Sequence, residues 1–289
     1  MDLRATSARS RLGAVAWSLG FILVGYSTTG LLGATVYWLL LEQLPAGAVG
    51  FSGAAVIQTT VGLIVFGGLT WLIGRKALRL DWRTLGFVPA REGAKGLGKG
   101  FAVGALVGIG ALVLSLGAGS GWVPDGGSFG SYLGRVGLLT LVLLPAAFME
   151  ELAFRGVAVA GMARGIGRAG AIVVTAALFA VAHRANPSVT LLALGNIALA
   201  GVLLGLTFFA RGGIWTATGA HLGWNAALAA LAAPVSGLPF EIPWIDFVPG
   251  DPAWVTGGLF GPEGGVLATV ALTVGILFVV RWRDFREAS

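Results

Sequence analysis

Residues 136–160 read VGLLTLVLLPAAFMEELAFRGVAVA. At about 1.5 Å of rise per residue the run is long enough to cross the ~30 Å hydrocarbon layer as a helix. Its only charges are Glu150, Glu151 and Arg155. Each ionisable group in mid-membrane costs at least about 2.5–3.5 kcal/mol, so such groups usually mark a functional interior. Further apolar windows lie at 15–41, 49–73, 101–119, 170–184, 188–210, 213–233 and 264–281. The expected fold class is therefore all-α, a polytopic membrane protein of about eight transmembrane helices.

Composition agrees with that reading. Hydrophobic residues make up 56% of the 289 and charged residues 11%, against roughly 25% charged in soluble domains, which excludes a water-soluble globule. The 48 glycines fall mainly inside apolar runs, as in Gly201xxxGly205, and suit close helix packing. With no cysteine, disulfides, iron–sulfur clusters and thiolate zinc sites are excluded. Ala46-Gly47-Ala48 superficially resembles a signal-peptidase site, but the preceding apolar run greatly exceeds a 7–15-residue signal core. It is read as a retained helix.

The basic residues supply the orientation. With both termini cytoplasmic, 16 of the 19 Lys and Arg fall on the cytoplasmic side: Arg4, Arg9 and Arg11, seven between Arg75 and Lys99, then Arg164, Arg168, Arg211, Arg281, Arg283 and Arg286. The opposite-side loops would carry Arg135 and Arg184 with Glu42, Asp125, Glu241, Asp246, Asp251 and Glu263. The net charge of +6 is thus a topology signal with some attraction to anionic headgroups, and needs no nucleic-acid partner. The stretch Arg75–Lys99 mixes these bases with Trp82 and Phe87 and reads equally as an interfacial amphipathic helix or a solvated connection.

Three helices carry polar pairs at a spacing of four, which puts each pair on one face: Glu151 with Arg155, Phe179 with His183, His221 with Asn225. Glu150 stands about 100° around the helix from Glu151, so one carboxylate is braced by Arg155 and the other is available. Counted from the cytoplasmic helix ends, Glu150, His221 and His183 lie roughly 15, 12 and 20 Å deep. Both histidines of the chain belong to this set. A buried carboxylate beside an imidazole can make water nucleophilic, and a second imidazole with an amide can stabilise an oxyanion. The same set, Glu150, His183 and His221, is also a candidate His₂Glu site for a divalent metal such as zinc. No GxSxG elbow, GxxxxGK[ST] loop or HExxH pair is present.

EExxxR (Glu150-Glu151…Arg155), FxxxH (Phe179…His183) and HxxxN (His221…Asn225), in that order on successive membrane helices, resemble the CAAX protease and bacteriocin-processing family. This includes the type II CAAX prenyl endopeptidases and lysostaphin-resistance-like proteins. The resemblance covers about residues 145–230. It implies an intramembrane endopeptidase, with Glu150 as the base that activates water, His183 assisting, His221 and Asn225 at the oxyanion, and Glu151 and Arg155 bracing. The family's metal question leaves the roles of His183 and His221 toward zinc open. Members process prenylated C-termini, leader peptides or pheromone precursors, and others act in bacteriocin immunity.

The expected organisation is a cytoplasmic segment 1–14, helices and a basic loop over 15–135, CAAX-protease-like catalytic helices over 136–233, and an extracytoplasmic loop, last helix and basic tail over 234–289. The expected partners are the bilayer, in a plasma or cytoplasmic membrane, and a peptide or membrane-protein substrate. Two rivals fit the same polar residues. One is a proton-coupled transporter with Glu150, Glu151 and His183 as a relay, against which no paired interrupted helices mark inverted repeats. The other is a non-catalytic scaffold or immunity protein.

Overall fold

A computed structural model describes residues 8–43 and 51–282. Arg4, Ala46-Gly47-Ala48, Arg283 and Arg286 lie outside the described residues. The protein is mostly helical, at 76%. In chain order come α1 (Ala8–Gln43), α2 (Phe51–Leu69) continuing as a π-helix over Thr70–Ala77, α3 (Ala90–Leu116), strand β1 (Gly121–Pro124) and α4 (Phe129–Glu151). A π-helical turn, Leu152–Gly156, joins α4 to α5 (Val157–Ala182); α6 (Leu191–Phe208) and α7 (Ile214–Ala230) follow. Strand β2 (Ile245–Val248), a single turn α8 (Ala253–Thr256), two 3₁₀ turns (Gly258–Phe260 and Pro262–Gly264) and α9 (Val266–Arg281) complete it. The small antiparallel β1–β2 sheet departs from the all-α expectation.

Five helical stretches among the described residues are long and apolar enough to span a bilayer, and the chain is a multi-pass membrane protein. One of them, Phe129–Ala182, is 54 residues long and contains the fourth expected span and all but the last two residues of the fifth. Its helical backbone breaks between them at Gly167, φ 76 and ψ 168. α9 is apolar but has 16 residues. α7 has 17, and Thr216 to Trp224 are buried without a gap; nine consecutive buried residues leave no face toward lipid, so this helix need not carry the hydropathy of a lipid-facing span. The Arg75–Lys99 stretch is divided: its first residues finish the π-helix, a turn follows, and α3 takes up the rest from Ala90.

The chain divides into two compact units. One comprises residues 1–86 and 145–171, the other 87–144 and 172–289. In the first, α1 and α2 meet through Phe21 and Phe66, both fully buried with ring centroids 5.5 Å apart. Tyr26 packs its ring 5.5 Å from Phe66 and 5.4 Å from Phe154. A side chain at Gly25 would overlap the Phe66 ring, and one at Gly161 would overlap Ser18. Arg164 Nη1 donates to the Leu78 carbonyl at 2.7 Å, tying the turn after the π-helix to α5.

In the second unit the closest helix pair is α3 with α7. Gly96, Gly100 and Gly104 recur every fourth residue and so line one face of α3. A Cβ on Gly100 or Gly104 would run into the backbone of Thr216 or Ala220, and one on Gly219 or Gly223 into the backbone of Leu97 or Phe101. Glycines from both sides let the two backbones touch, which is how small residues bring helices together where no hydrophobic force separates protein from lipid. Gly201 likewise lets α6 approach the Ala176 backbone of α5, and a Cβ on Gly205 would crowd the Ile172 side chain. α7 is thereby fixed at a backbone-limited distance, and α7 carries His221 and Asn225.

Candidate active site

The expected site residues fall in both units. Glu150, Glu151 and Arg155 belong to the first; Phe179, His183, His221 and Asn225 belong to the second.

In the first unit the EExxxR motif straddles the junction of α4 and the π-helical turn. Interruptions of this kind within helices occur often at functional sites. Arg155 Nε stands 3.2 Å from Glu151 Oε2, and both side chains are 0% exposed. Glu150 is half-buried. The two neighbouring carboxylates therefore occupy different environments, Glu151 fully buried in an ion pair and Glu150 half-buried.

In the second unit His183, His221 and Asn225 line one cavity with Phe179. His183 is the first residue beyond α5, and the turn that ends the helix positions it: His183 Nδ1 lies 2.8 Å from the carbonyl of Phe179. A carbonyl only accepts, so in the neutral ring this contact places the proton on Nδ1 and makes Nε2 the accepting nitrogen. The Phe179 ring is 4.5 Å from the His183 ring and 5.9 Å from that of His221, nearly perpendicular to the latter. The phenylalanine of FxxxH is thus the surface on which both imidazoles are oriented. Ile197, Leu203, Leu204 and Leu272 supply apolar wall, and an imidazole or amide in such surroundings acts on developing charge more strongly than in water.

One further residue belongs to this cavity. Glu263, expected in an opposite-side loop, is 8% exposed and lines the cavity beside the histidines. Trp224 Nε1 donates to its Oε1 at 2.6 Å, and the backbone N–H of Ser236 donates to its Oε2. Burial pushes the Glu263 carboxyl above its ordinary range, opposed by these two donors and by the charge of nearby His183. In the sequence it stands within GGLFGPEGG, residues 257–265, a lone acid inside a glycine–proline turn directly before an apolar helix, with no local sign of its burial.

The metal candidates Glu150, His183 and His221 come from both units. Among the described residues no group of three or more His, Cys, Asp or Glu side chains is gathered to hold a metal ion.

No curated protein and no solved structure matches the chain. Residues 133–227, about a third of the chain, hold all three motifs and match the family model described as Type II CAAX prenyl endopeptidase Rce1-like.

Proposed function

We propose that the protein is an intramembrane endopeptidase that hydrolyses a peptide bond of a membrane-associated protein or peptide without a covalent intermediate. Glu150 takes a proton from water, and the resulting hydroxide oxygen bonds to the carbonyl carbon. His221 and Asn225 donate to the oxyanion of the tetrahedral intermediate. Collapse breaks the C–N bond, and the departing amine receives the proton, with His183 assisting its transfer. Glu151 and Arg155 hold the helix turn on which Glu150 stands.

The observation that carries this reading is the meeting of His183, His221 and Asn225 in one apolar cavity of a chain whose residues 133–227 match a protease family. The distribution of basic residues supports eight crossings with both termini cytoplasmic, so that the substrate is met from the cytoplasmic side.

Cleavage mapping in membranes carrying the wild-type or the Glu150→Gln protein tests the proposal. Fragments released by the wild type and absent with Glu150→Gln are expected. Equal cleavage by both would sink it; proton flux through proteoliposomes that depends on Glu150, without cleavage, would replace it with a transporter.

A further inference from the structure

Glu263 lies outside the family-matched segment and outside the three motifs, yet its carboxylate joins the two chain segments that carry the histidines. Toward α7, its Oε1 accepts from Nε1 of Trp224, the residue before Asn225 and three beyond His221. Toward α5, its Oε2 accepts from the N–H of Ser236. The carbonyl of Ser236 accepts from Asn186 Nδ2 at 2.8 Å, and the N–H of Asn186 donates to the carbonyl of His183 at 3.0 Å. A continuous set of hydrogen bonds therefore runs from His183 through Asn186, Ser236 and Glu263 to Trp224.

The turn that bears Glu263 is itself anchored. Asn196 of α6, 2% exposed, donates from Nδ2 to the carbonyls of Glu263 and Gly265 at 2.7 and 2.8 Å, while its Oδ1 accepts from the Thr269 hydroxyl at 2.6 Å. Gly261 has φ 93, and a Cβ there would overlap the carbonyl of Pro234. The carboxylate is thus a fixed post and not a mobile side chain.

The partners explain why the residue is an acid. An indole N–H and a backbone N–H are both donors, so the group between them must accept on two atoms. A carboxylate does so; a glutamine amide of the same size offers one acceptor and turns its NH₂ against the other donor. Burying that carboxylate carries a desolvation cost that a purely space-filling role would avoid.

We propose that Glu263 is a positioning residue for the hydrolysis, a two-acceptor post that sets the spacing between His183 and the His221–Asn225 pair. This rests on the protease reading above.

The test uses the full chain in bilayers and a quenched fluorescent peptide built on the site found by cleavage mapping, comparing Glu263→Gln, Glu263→Asp and Trp224→Phe. Glu263→Gln is expected to lower kcat roughly ten- to a hundred-fold, the equivalent of one hydrogen bond to a charged group, with KM little changed. Trp224→Phe, which removes the donor and keeps a ring, is expected to fall in the same range, and the double variant to be no worse than the poorer single one. Glu263→Asp keeps two acceptors and is expected to retain more kcat than Glu263→Gln; a role in filling space gives the opposite order.

A second readout needs no activity. The chain has no cysteine, so spin labels attached through Arg184→Cys and Ala230→Cys report the separation of the segments directly. A broadened or shifted distance distribution in Glu263→Gln and in Trp224→Phe is expected. Wild-type kcat in Glu263→Gln, or an unchanged distribution in both variants, overturns the proposal. If the wild type cleaves nothing, the protease reading falls, and the distance measurement still decides whether Glu263 sets the spacing.

Discussion

Glu151 Oε2 lies 3.2 Å from Arg155 Nε, and neither side chain reaches solvent. Removing one partner of such a pair leaves an uncompensated buried charge, whereas removing both leaves none. Arg155→Met is expected to cost about 3–5 kcal/mol in unfolding from mixed micelles. Glu151→Leu with Arg155→Met is expected to recover most of that loss while cleavage stays low, because the turn bearing Glu150 is no longer braced. A double variant as unstable as Arg155→Met would show that the pair does not compensate itself.

α3 offers an internal control for the glycine contact with α7. Gly104→Ala forces a methyl group against the Ala220 backbone, one residue from His221, and backbone cannot swing aside as a side chain can. Overpacking of this kind costs typically about 1–3 kcal/mol, and cleavage should fall with it. At Gly98 and Gly110 of the same helix a Cβ meets nothing within 4 Å, so alanine there is expected to stabilise by up to about 1 kcal/mol through helix propensity alone. Thermal unfolding of the three variants in one detergent separates the two effects; equal behaviour would remove the close-contact argument.

The contrast between α7 and Glu263 explains what was legible in the sequence. The polar pairs at a spacing of four could be read because intramembrane charge is costly and helical spacing is regular, and Phe179, His183, His221 and Asn225 do line one cavity. The apolar window 213–233 holds α7, Ile214–Ala230, but the unbroken burial of Thr216 to Trp224 could not be read, because a window registers hydropathy and not neighbours. The π-helical turn at Leu152–Gly156 leaves no periodic trace in five residues. Glu263 sits between glycines, where a loop acid is ordinarily solvated; its burial follows from hydrogen bonds to Trp224 and Ser236, 39 and 27 residues away in the chain, which no local pattern encodes.

Gly167 separates conformational strain from lack of room. A Cβ there meets nothing within 4 Å, yet φ is 76 and ψ 168, a region that essentially only glycine occupies. Gly167→Ala is expected to destabilise by about 1–3 kcal/mol. Gly137→Ala, equally unobstructed but within α4, is expected to be neutral or stabilising. Matching unfolding midpoints for the two would mean that the backbone between the fourth and fifth expected spans relaxes to accept a side chain.

Asp81 closes the turn between the π-helix and α3 and gives a pH signature outside the membrane spans. The N–H of Thr84 donates to its Oδ1 at 2.7 Å, and the Thr84 hydroxyl to its Oδ2 at 2.8 Å. Led by the backbone donor, these bonds hold the carboxyl below its ordinary value of 3.8. The folded value is depressed, so the turn's stabilisation is fully present above the unfolded value and is lost as pH falls through the folded one. Carbon-detected NMR of labelled aspartate should give an Asp81 midpoint below 3.8. Thr84→Val removes the hydroxyl and keeps the N–H, so the midpoint should rise part of the way. A midpoint indifferent to Thr84→Val would assign the whole depression to the backbone donor, and one at the ordinary value in the wild type would mean the turn is open in the bilayer.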